Sequence, residues 1–399
     1  MIVLKFGGSS VRDAAMIRRV IEIARSRLAQ APFLVSSAMG KTTDALVEIA
    51  DAAEAGDQER AFARIAELEA HHLATAAELT PDDGAITRSD PSQEDLAARV
   101  RRLFEQLRSL VQGVYLIREC SPRSRDAILS FGERLSTLII AVAAQASGIE
   151  TELLDARDLI RTDADFGSAA PQMETTARLT RDRARPRPER LLVTQGFIGA
   201  TADGVTTTLG RGGSDYTATI LGASLDADAV EIWTDVNGIM TSDPRVISEA
   251  KTIPAISYDE AAELAYFGAR VVHPYTILPA VRRAIPVWVK NTGEPGHPGT
   301  RIQVATDGET IRALASKSGI TLITVQSSRM LNAYGFLHAL FTVFDNHRVS
   351  VDLVATSEVS VSMTVDRGVD LTALVPELEA LGEVSVEREK SIVCLVGRG

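Results

Sequence analysis

Residues 1–10 read MIVLKFGGSS, which places a lysine and two glycines at the end of a short apolar run. The apolar residues 2–6 are typical of a buried strand, and glycines after a strand let backbone N–H groups approach a phosphate. We expect a helix from about Ser10, whose positive dipole end would face the same anion. Two interpretations stay open at this point: a phosphate-binding loop, or a tight turn beside a solvated lysine.

The chain that follows alternates between predicted strands and predicted helices as far as about residue 290. Strand patterns recur at residues 33–38, 149–156, 189–200 and 228–235, and the segments between them are largely helical in pattern. The pattern at residues 125–148 predicts one long helix that ends at Gly148, a suitable residue for a helix C-terminus. Strands separated by helices predict an α/β fold with a mostly parallel sheet covered on both faces.

A segment rich in glycine and proline, NTGEPGHPGT (291–300), separates this region from a different pattern. Beyond it, strands and helices are predicted in the ferredoxin-like order β-α-β-β-α-β within about 75 residues. The predicted strands include residues 349–355, 383–387 and 391–397. We therefore expect a catalytic domain at 1–297, a linker at 298–318 and a ferredoxin-like domain at 319–399.

Composition and charge argue against several classes of protein. The 399 residues are 45% hydrophobic and 24% charged, and their net charge of −11 argues against a nucleic-acid binder. The two cysteines and the scattered histidines predict neither a disulfide framework nor a zinc site. The sequence has no N-terminal signal pattern, and its longest apolar stretch, LIIAVAA from Leu138, is too short for a membrane span. We expect a cytoplasmic protein without a membrane or nucleic-acid partner.

The segment TTTLGRGGSDYTA (206–218) combines glycines, an arginine and an aspartate just before a predicted helix. Gly212 and Gly213, followed by Ser214 and Asp215, resemble an anion-binding nest with a helix N-cap. Arg211 offers a planar group that suits a carboxylate or a phosphate. The alternative interpretation is a polar loop with a good cap.

Two further segments break the apolar pattern of their surroundings. In SFGERLST (130–137), Glu133 would hold a cationic group of a substrate, unless it forms a structural ion pair with Arg134. In WTDVNGIMTSDPR (233–245), a strand ends in a polar loop. Ligands bind at the carboxyl ends of strands in open α/β sheets, so this loop suggests ribose and phosphate contacts, the alternative being two consecutive turns. The chain has neither a P-loop nor the glycine pattern of a dinucleotide fold.

Taken together, these segments resemble the aspartate kinases of the amino-acid kinase superfamily. The similarity extends over nearly the whole chain and includes KFGGSSV, SSAMGKTTD, SFGERLS, TLGRGGSDYTA, WTDVNGI, DPR, FGARVVHP and MLNAYGFL…VSVDLVATSEVSVS. The resemblance implies a carbamate kinase-like α/β fold followed by a ferredoxin-like ACT domain, the small-molecule-binding module of these enzymes.

The implied reaction is phosphoryl transfer from ATP to the side-chain carboxylate of L-aspartate, which gives 4-phospho-L-aspartate, the first step of lysine, threonine and methionine biosynthesis. A carboxyl group with a pKa of about 3.9 is already ionised at neutral pH, so no general base is needed. Catalysis must therefore come mainly from positioning and from neutralising charge on the phosphates.

The resemblance also implies roles for individual residues. Lys5 would contact the transferred phosphate, and Asp215 would hold Lys5; Mg²⁺ would be bound through the phosphates of ATP rather than at a metal site of the protein. The nucleotide-binding positions would be Gly7, Gly8, Ser9, Ser214, Thr234, Asp235, Met240, Asp243, Arg245 and Arg270. The aspartate-binding positions would be Ser37, Thr43, Glu133, Arg211, Gly212 and Gly213. Arg211 would bind a carboxylate of aspartate, and Glu133 its α-amino group.

In the ACT region the resemblance implies an effector site for lysine or threonine. The matching positions are Met330, Ala333, Gly335, Leu337, Ser350, Val351, Asp352, Thr356, Ser357 and Glu358. Asp352 and Glu358 would suit a cationic effector, whereas the alternative is that they are solvated turn residues. A homodimer through the ACT regions is expected, because such modules pair their sheets edge to edge.

Three features depart from the family pattern. Met240 stands where many relatives have a tyrosine, and Arg270 stands where a lysine is common. Relatives continue past the position of Gly399 with a helix and strands that complete a second ACT unit. The resemblance implies feedback regulation through the ACT region, which would be weak or absent if the second unit is incomplete here. Alternatives to an aspartate kinase are an acetylglutamate, glutamate or nucleoside monophosphate kinase, and a catalytically inactive amino-acid sensor.

Overall fold

An eight-stranded, mostly parallel sheet forms the centre of the first three quarters of the chain. The computed structural model describes residues 1–80, 95–266, 272–304, 311–331 and 334–397. The strands are β1 (Ile2–Phe6), β2 (Pro32–Ser36), β3 (Glu150–Leu154), β4 (Arg190–Gln195), β5 (Ile198–Ala200), β6 (Thr206–Thr208), β7 (Ala229–Thr234), β8 (Ala255–Ser257), β9 (Val287–Asn291), β10 (Thr300–Gln303), β11 (Ala313–Gln326), β12 (Val354–Thr356), β13 (Ser360–Val365) and β14 (Glu383–Val396).

Most helices cover the two faces of the large sheet, and the last two along the chain pack on a smaller four-stranded sheet. They are α1 (Ala14–Arg25), α2 (Thr42–Ala55), α3 (Gln58–Leu79), α4 (Leu96–Ile117), α5 (Pro122–Leu129), α6 (Phe131–Ala146), α7 (Ala156–Leu159), α8 (Met173–Arg183), α9 (Gly213–Ser224), α10 (Tyr258–Tyr266), α11 (Pro274–Arg282), α12 (Phe336–Asn346) and α13 (Leu374–Glu379). The predicted α/β class is therefore confirmed.

The large sheet has the strand order β3-β4-β2-β1-β7-β9-β10-β8, and among its described strand pairs only β9–β10 is antiparallel. Every residue of β1 and β2 is buried, which accounts for their continuous apolar sequence. Alternate side chains of β1 enter different cores: Leu4 packs with α1 and α6, whereas Val3 packs with α9. The sheet therefore brings the loops after β1, β2 and β7 together at its carboxyl edge.

The first helix begins four residues later than the sequence pattern predicts. The predicted start at Ser10 is wrong: Gly8–Val11 forms a short 3₁₀ turn, and α1 begins at Ala14. Asp13 is the N-cap, since its side chain accepts a 2.8 Å hydrogen bond from the Met16 N–H. The serines after the two glycines thus precede the α-helix and do not begin it.

The predicted long helix at 125–148 is present as α5 and α6, with a single turn residue, Ser130, between them. It ends as expected, because Gly148 is left-handed (φ 82°) and the Ile149 N–H bonds back to the Ala144 carbonyl. Among the described residues, the run Pro122–Ala146 is long and apolar enough to cross a membrane, but its most apolar window is 83% buried inside the protein. Packing in the core accounts for this composition.

The last part of the chain has the predicted order of elements, with two differences. The smaller antiparallel sheet has the order β12-β13-β11-β14, and α12 and α13 pack on it. The strands predicted at 383–387 and 391–397 are one continuous strand, β14, because both halves pair with the equally long β11. The strand predicted at 349–355 begins only at Val354.

The long strands β11 and β14 belong to two cores at once. Their outer ends carry Ala313 and Val396 into the core of the large sheet, whereas Ile323 on β11 lies in the core with α12 and α13. Thr300–Gln303, which falls in the predicted linker, is a strand of the large sheet. The division at 297 and 319 stays a prediction.

Candidate active site

A buried ion pair lies at the carboxyl end of β1. Lys5 Nζ is 2.6 Å from Asp215 Oδ1, and their side chains are 11% and 13% exposed. Lys5 points to the same face of the sheet as Val3, and that face is covered by α9, whose first turn carries Asp215. The alternative of a solvated Lys5 is therefore wrong, and the cation is held in place before any ligand binds.

The glycine loop after β1 packs against the loop after β2. A Cβ atom on Gly8 would lie 2.9 Å from the Gly40 carbonyl oxygen and 3.0 Å from that of Ala38, so only glycine fits there. The Gly7 N–H donates to the Trp233 carbonyl over 3.1 Å. The expectation that Gly7 offers its N–H to a phosphate is therefore wrong in this structure. Ser9 lies in the 3₁₀ turn that follows and is partly buried.

The second glycine loop leads into the N-terminus of α9. Gly212 is the N-cap, with φ 73° and no capping side chain, so the expected side-chain cap from this loop is absent: Ser214 and Asp215 lie within the first turn of the helix. Gly213 lies against Phe197, where a Cβ would come within 2.8 Å of the ring. The start of a twelve-residue helix beside Lys5 adds positive potential where an anion would bind.

Glu133 is a buried carboxyl group with one atom unused. Its Oε1 accepts a 3.2 Å hydrogen bond from the Ala38 N–H, while its Oε2 is buried and has no partner among the described residues. Burial raises the pKa of Glu133 to about 8, so the group is mostly neutral at pH 7. The expected alternative, an ion pair with Arg134, is wrong: the Arg134 guanidinium lies over the Phe131 ring and donates to Gln106.

Arg211 is exposed and has no ion-pair or hydrogen-bond partner in the part of the chain that the structure describes. Its neighbours Gly210 and Gly212 both have left-handed backbones (positive φ), a conformation that glycine adopts without the strain that other residues would have. Ser37 and Thr43, the other predicted aspartate contacts, are partly exposed in the loop after β2 and in the first turn of α2. The Ser37 N–H donates to the Phe6 carbonyl, which ties this loop to β1.

The predicted nucleotide loop follows β7. Thr234 Oγ1 donates to Asp235 Oδ1 over 3.2 Å, and Arg245 forms a bidentate pair with Asp243, with Nη2–Oδ2 at 2.7 Å. Met240 is partly buried and bridges to Thr252. Arg270 lies outside the described residues. Among those that are described, no three histidine, cysteine or acidic side chains come together as metal ligands.

The predicted effector residues lie on the smaller sheet and at the start of α12. Thr356, Ser357 and Glu358 are exposed at the turn between β12 and β13, and Gly335 is the left-handed N-cap of α12. The remaining positions in the described residues are Met330, Leu337, Ser350 and Val351, which are exposed or half-buried. Ala333 lies outside the described residues.

Asp352 differs from the other predicted effector residues because its carboxylate is already occupied. It accepts hydrogen bonds from Tyr266 of α10 (2.6 Å) and from Lys317 of β11 (2.8 Å). Its side chain is only 7% exposed, so the alternative of a solvated turn residue is wrong for Asp352.

Sequence reasoning missed two residues around the glycine loops. Phe197 has a left-handed backbone (φ 67°) and packs against Gly213. Asp126 is fully buried and binds the segment that leads to Arg211. The available signal was an acidic residue in the helix ahead of Glu133, but the sequence does not show which segment it would contact.

Comparison with known proteins agrees with this arrangement. A family model described as "Amino acid kinase family" matches residues 1–291. Lysine-sensitive aspartokinase 3 of Escherichia coli is 39% identical over 407 residues, which cover 100% of this chain and 87% of that protein. Chloroplastic aspartokinase 1 of Arabidopsis thaliana is 35% identical over 99% of this chain and 70% of its own length.

A solved structure of E. coli aspartokinase III in complex with aspartate and ADP has a TM-score of 0.81 with this chain at 39% identity, covering all of it and 87% of the solved chain. A second structure of that enzyme, with lysine and aspartate, has a TM-score of 0.83 at the same coverage. The eight-stranded sheet with its helices is thus the amino-acid kinase fold, and the smaller sheet is consistent with an ACT-like domain. By the family model and by full-length relatives of this identity, the chain belongs to the amino acid kinase family and, within it, to the aspartokinases.

Proposed function

We propose that this chain is an aspartate kinase, which transfers the γ-phosphoryl group of ATP to the side-chain carboxylate of L-aspartate. The observation that carries the proposal is the buried Lys5–Asp215 pair at the carboxyl end of β1. The neighbouring loop after β2 is held by the hydrogen bond from the Ala38 N–H to Glu133. The relatives are named aspartokinases, and the solved E. coli enzyme holds aspartate and ADP.

In the proposed reaction a carboxylate oxygen of aspartate attacks the γ-phosphorus while the bond from that phosphorus to the leaving oxygen of ADP breaks. No proton has to move, because the attacking carboxylate is ionised at neutral pH. The main barrier is repulsion between two anions, and Lys5 reduces it by neutralising charge on the transferred phosphoryl group. Asp215 keeps the ammonium group in position through the 2.6 Å contact.

We assign the substrate contacts from complementary charge. Arg211 is exposed and unpaired among the described residues, so it is suited to a carboxylate of aspartate. Glu133 has a buried oxygen without a partner, so it is suited to the α-ammonium group, whose binding would ionise it. Ser37 and Thr43, with Gly212 and Gly213, complete the proposed aspartate site.

We assign the nucleotide to the loop after β7 and to the N-terminus of α9. The proposed contacts are Gly8, Ser9, Ser214, Thr234, Asp235, Met240, Asp243, Arg245 and Arg270. Gly7 is left out of these contacts, because its N–H donates to the Trp233 carbonyl. Mg²⁺ fits this site as a partner of the ATP phosphates, where it would neutralise charge; the oxygen ligands it prefers are offered nearby by Asp215 and Ser214.

Regulation and assembly are further parts of the proposal. The E. coli relative is named lysine-sensitive, and a structure of that enzyme contains lysine, which supports lysine as the effector ahead of threonine. We propose that the effector binds near Asp352 and Glu358, that the chain acts in lysine, threonine and methionine biosynthesis in the cytoplasm, and that it forms a homodimer through the smaller sheets.

A hydroxamate assay for acyl phosphates tests the proposal. Purified protein is incubated with ATP, Mg²⁺ and hydroxylamine in the presence of L-aspartate, N-acetylglutamate or L-glutamate. We expect product with L-aspartate at a rate at least a hundredfold above that with the other acids. Product from another acid would assign a different amino-acid kinase, and binding of an amino acid without any product would indicate a sensor.

A further inference from the structure

Asp126 is a buried carboxylate on which three hydrogen-bond donors converge. The residue is 1% exposed and lies in α5. Its Oδ2 accepts from the Thr208 N–H (2.8 Å) and the Gly167 N–H (3.0 Å), and its Oδ1 accepts from the Thr208 hydroxyl (2.8 Å). Such a set suits an ionised carboxylate, which only accepts hydrogen bonds.

The residues that donate to Asp126 lie close to the loop that carries Arg211. Thr208 is the last residue of β6 and lies three positions before Arg211. Gly167, the second donor, precedes Ser168, which packs against the loop itself: a Cβ on Gly210 would lie 3.3 Å from the Ser168 Cβ. The Ala169 N–H also bonds to the Thr208 carbonyl over 2.9 Å. Asp126 therefore fixes the start of the Arg211 loop and the segment on which this loop rests.

The other side of the contact leads to Glu133. The backbone stays hydrogen-bonded from α5 into α6, since the Ser130 N–H bonds to the Asp126 carbonyl (3.0 Å) and the Arg134 N–H to the Ser130 carbonyl (3.3 Å). Glu133 thus lies about two helical turns beyond Asp126 on a continuous support. The two groups that we assign to the ends of the substrate are connected through this carboxylate.

We infer that Asp126 is a positioning residue for the amino-acid substrate, which holds the Arg211 loop at a fixed spacing from Glu133. This inference rests on the proposed function. Asp126 makes no contact with Lys5 or Asp215 in the described hydrogen bonds and ion pairs, so its effect falls on aspartate binding rather than on the phosphoryl group.

The replacement Asp126→Asn isolates this role. An asparagine keeps the shape but loses the charge, and its NH₂ group has to face either the two backbone N–H donors or the Thr208 hydroxyl, so at least one of the three hydrogen bonds is lost or reversed. We expect the KM for aspartate to rise at least tenfold and the KM for ATP to stay within about twofold. Thr208→Val, which removes the hydroxyl alone, should raise the KM for aspartate by a smaller factor, and Thr208→Ser should restore it.

Glu260→Gln is the matched control. Glu260 is also a buried carboxylate, but it binds Arg312 and the Ser257 N–H at β8, the last strand of the large sheet. We expect this variant to lose thermal stability while both KM values stay unchanged. The inference is overturned if Asp126→Asn and Thr208→Val leave the ratio of the two KM values at that of the unaltered protein.

The design separates this inference from the proposed function. Unaltered protein that makes no aspartyl hydroxamate contradicts the function itself. Unaltered protein that makes it, with variants whose KM values for aspartate and ATP rise together, contradicts only the positioning role. If Asp126→Asn does not fold, the comparison of Thr208→Val with Thr208→Ser tests the same contact from its other partner.

Discussion

Tyr266 donates a 2.6 Å hydrogen bond to Asp352, which joins the end of α10 to the segment just before β12. The other oxygen of Asp352 lies 2.8 Å from Lys317, which also contacts Asp366 at 2.6 Å. Burial and the neighbouring carboxylate raise the pKa of Tyr266, so its hydroxyl keeps its proton at physiological pH. An effector that uses Asp352 must therefore displace groups that already hold it.

Tyr266→Phe tests this competition. Removing the hydroxyl frees one oxygen of Asp352, so we expect the lysine concentration for half inhibition to fall about tenfold to a hundredfold, as for loss of one hydrogen bond to a charged group. The measurement is a lysine titration of the hydroxamate rate. Tyr258→Phe, in the same helix but bonded to the Pro274 carbonyl, should leave the midpoint unchanged. If Tyr266→Phe has an unaltered midpoint, or if lysine does not inhibit the original protein, Asp352 is not part of a lysine-binding site.

Lys5→Met should lower kcat by about a thousandfold, as expected when a group that neutralises transition-state charge is lost. The variant should also be less stable, because Asp215 is left buried without its cation. Adding Asp215→Asn should recover much of the melting temperature without recovering activity. Lys390→Met, on β14, serves as the control. Near-normal turnover of Lys5→Met would refute the catalytic assignment.

The affinity for aspartate should depend on pH through Glu133. Its pKa of about 8 means that the empty site is mostly protonated at pH 7, whereas binding an ammonium group requires the carboxylate. We therefore expect the KM for aspartate to fall about fivefold to tenfold from pH 7 to pH 8.5. Calorimetry in buffers of different ionisation enthalpy should show proton release on binding. Glu133→Gln should have a higher KM without this slope, and a slope retained in that variant would assign the titration to another group.

Arg211 and Arg245 should affect different substrates. Arg211→Lys loses a planar, two-point contact, so we expect the KM for aspartate to rise at least tenfold with little change for ATP. Arg245→Lys should raise the KM for ATP instead, since Arg245 lies in the loop after β7. Steady-state kinetics with each substrate varied in turn gives both values. The assignments would have to be exchanged if the two variants showed the opposite pattern.

His72 should make the protein less stable in mild acid. It is fully buried between α3 and α4, and burial lowers its pKa to about 4. Between pH 6.5 and pH 4 the unfolded chain binds a proton that the folded chain does not, so stability should fall by up to about 3 kcal/mol. Urea unfolding at several pH values measures this. His72→Gln should flatten the dependence, whereas His71→Gln, at an exposed neighbour, should retain it; equal slopes in all three proteins would contradict the prediction.

The sequence predicted what depends on local patterns. The apolar run 2–6 and the position of Gly148 follow from strand and helix-end chemistry, and both were confirmed. The start at Ser10 failed because Asp13 is the better cap, an effect of one side chain on one N–H group. Two predicted strands proved to be β14 because their continuity depends on pairing with β11, which no local pattern shows.

From the residues alone, the site could be predicted only at the two glycine-rich segments that also carry charged residues. Lys5 and Asp215 are 210 positions apart, and their pairing was anticipated through a family resemblance rather than from the residues alone. The contacts of Asp126 and Asp352 were not foreseeable, because each depends on segments that only the tertiary fold brings together. An isolated acidic residue in a sequence does not indicate its donors.

The ladder between β11 and β14 has a consequence for engineering. Because these strands contribute to the cores on both sides, the smaller sheet and its helices cannot be exchanged as a module by cutting in a loop. A chimera has to join its sequences within paired strands and keep the register that sets Ala313 opposite Val396 and Gln326 opposite Glu383. A one-residue shift would turn apolar side chains out of both cores at once.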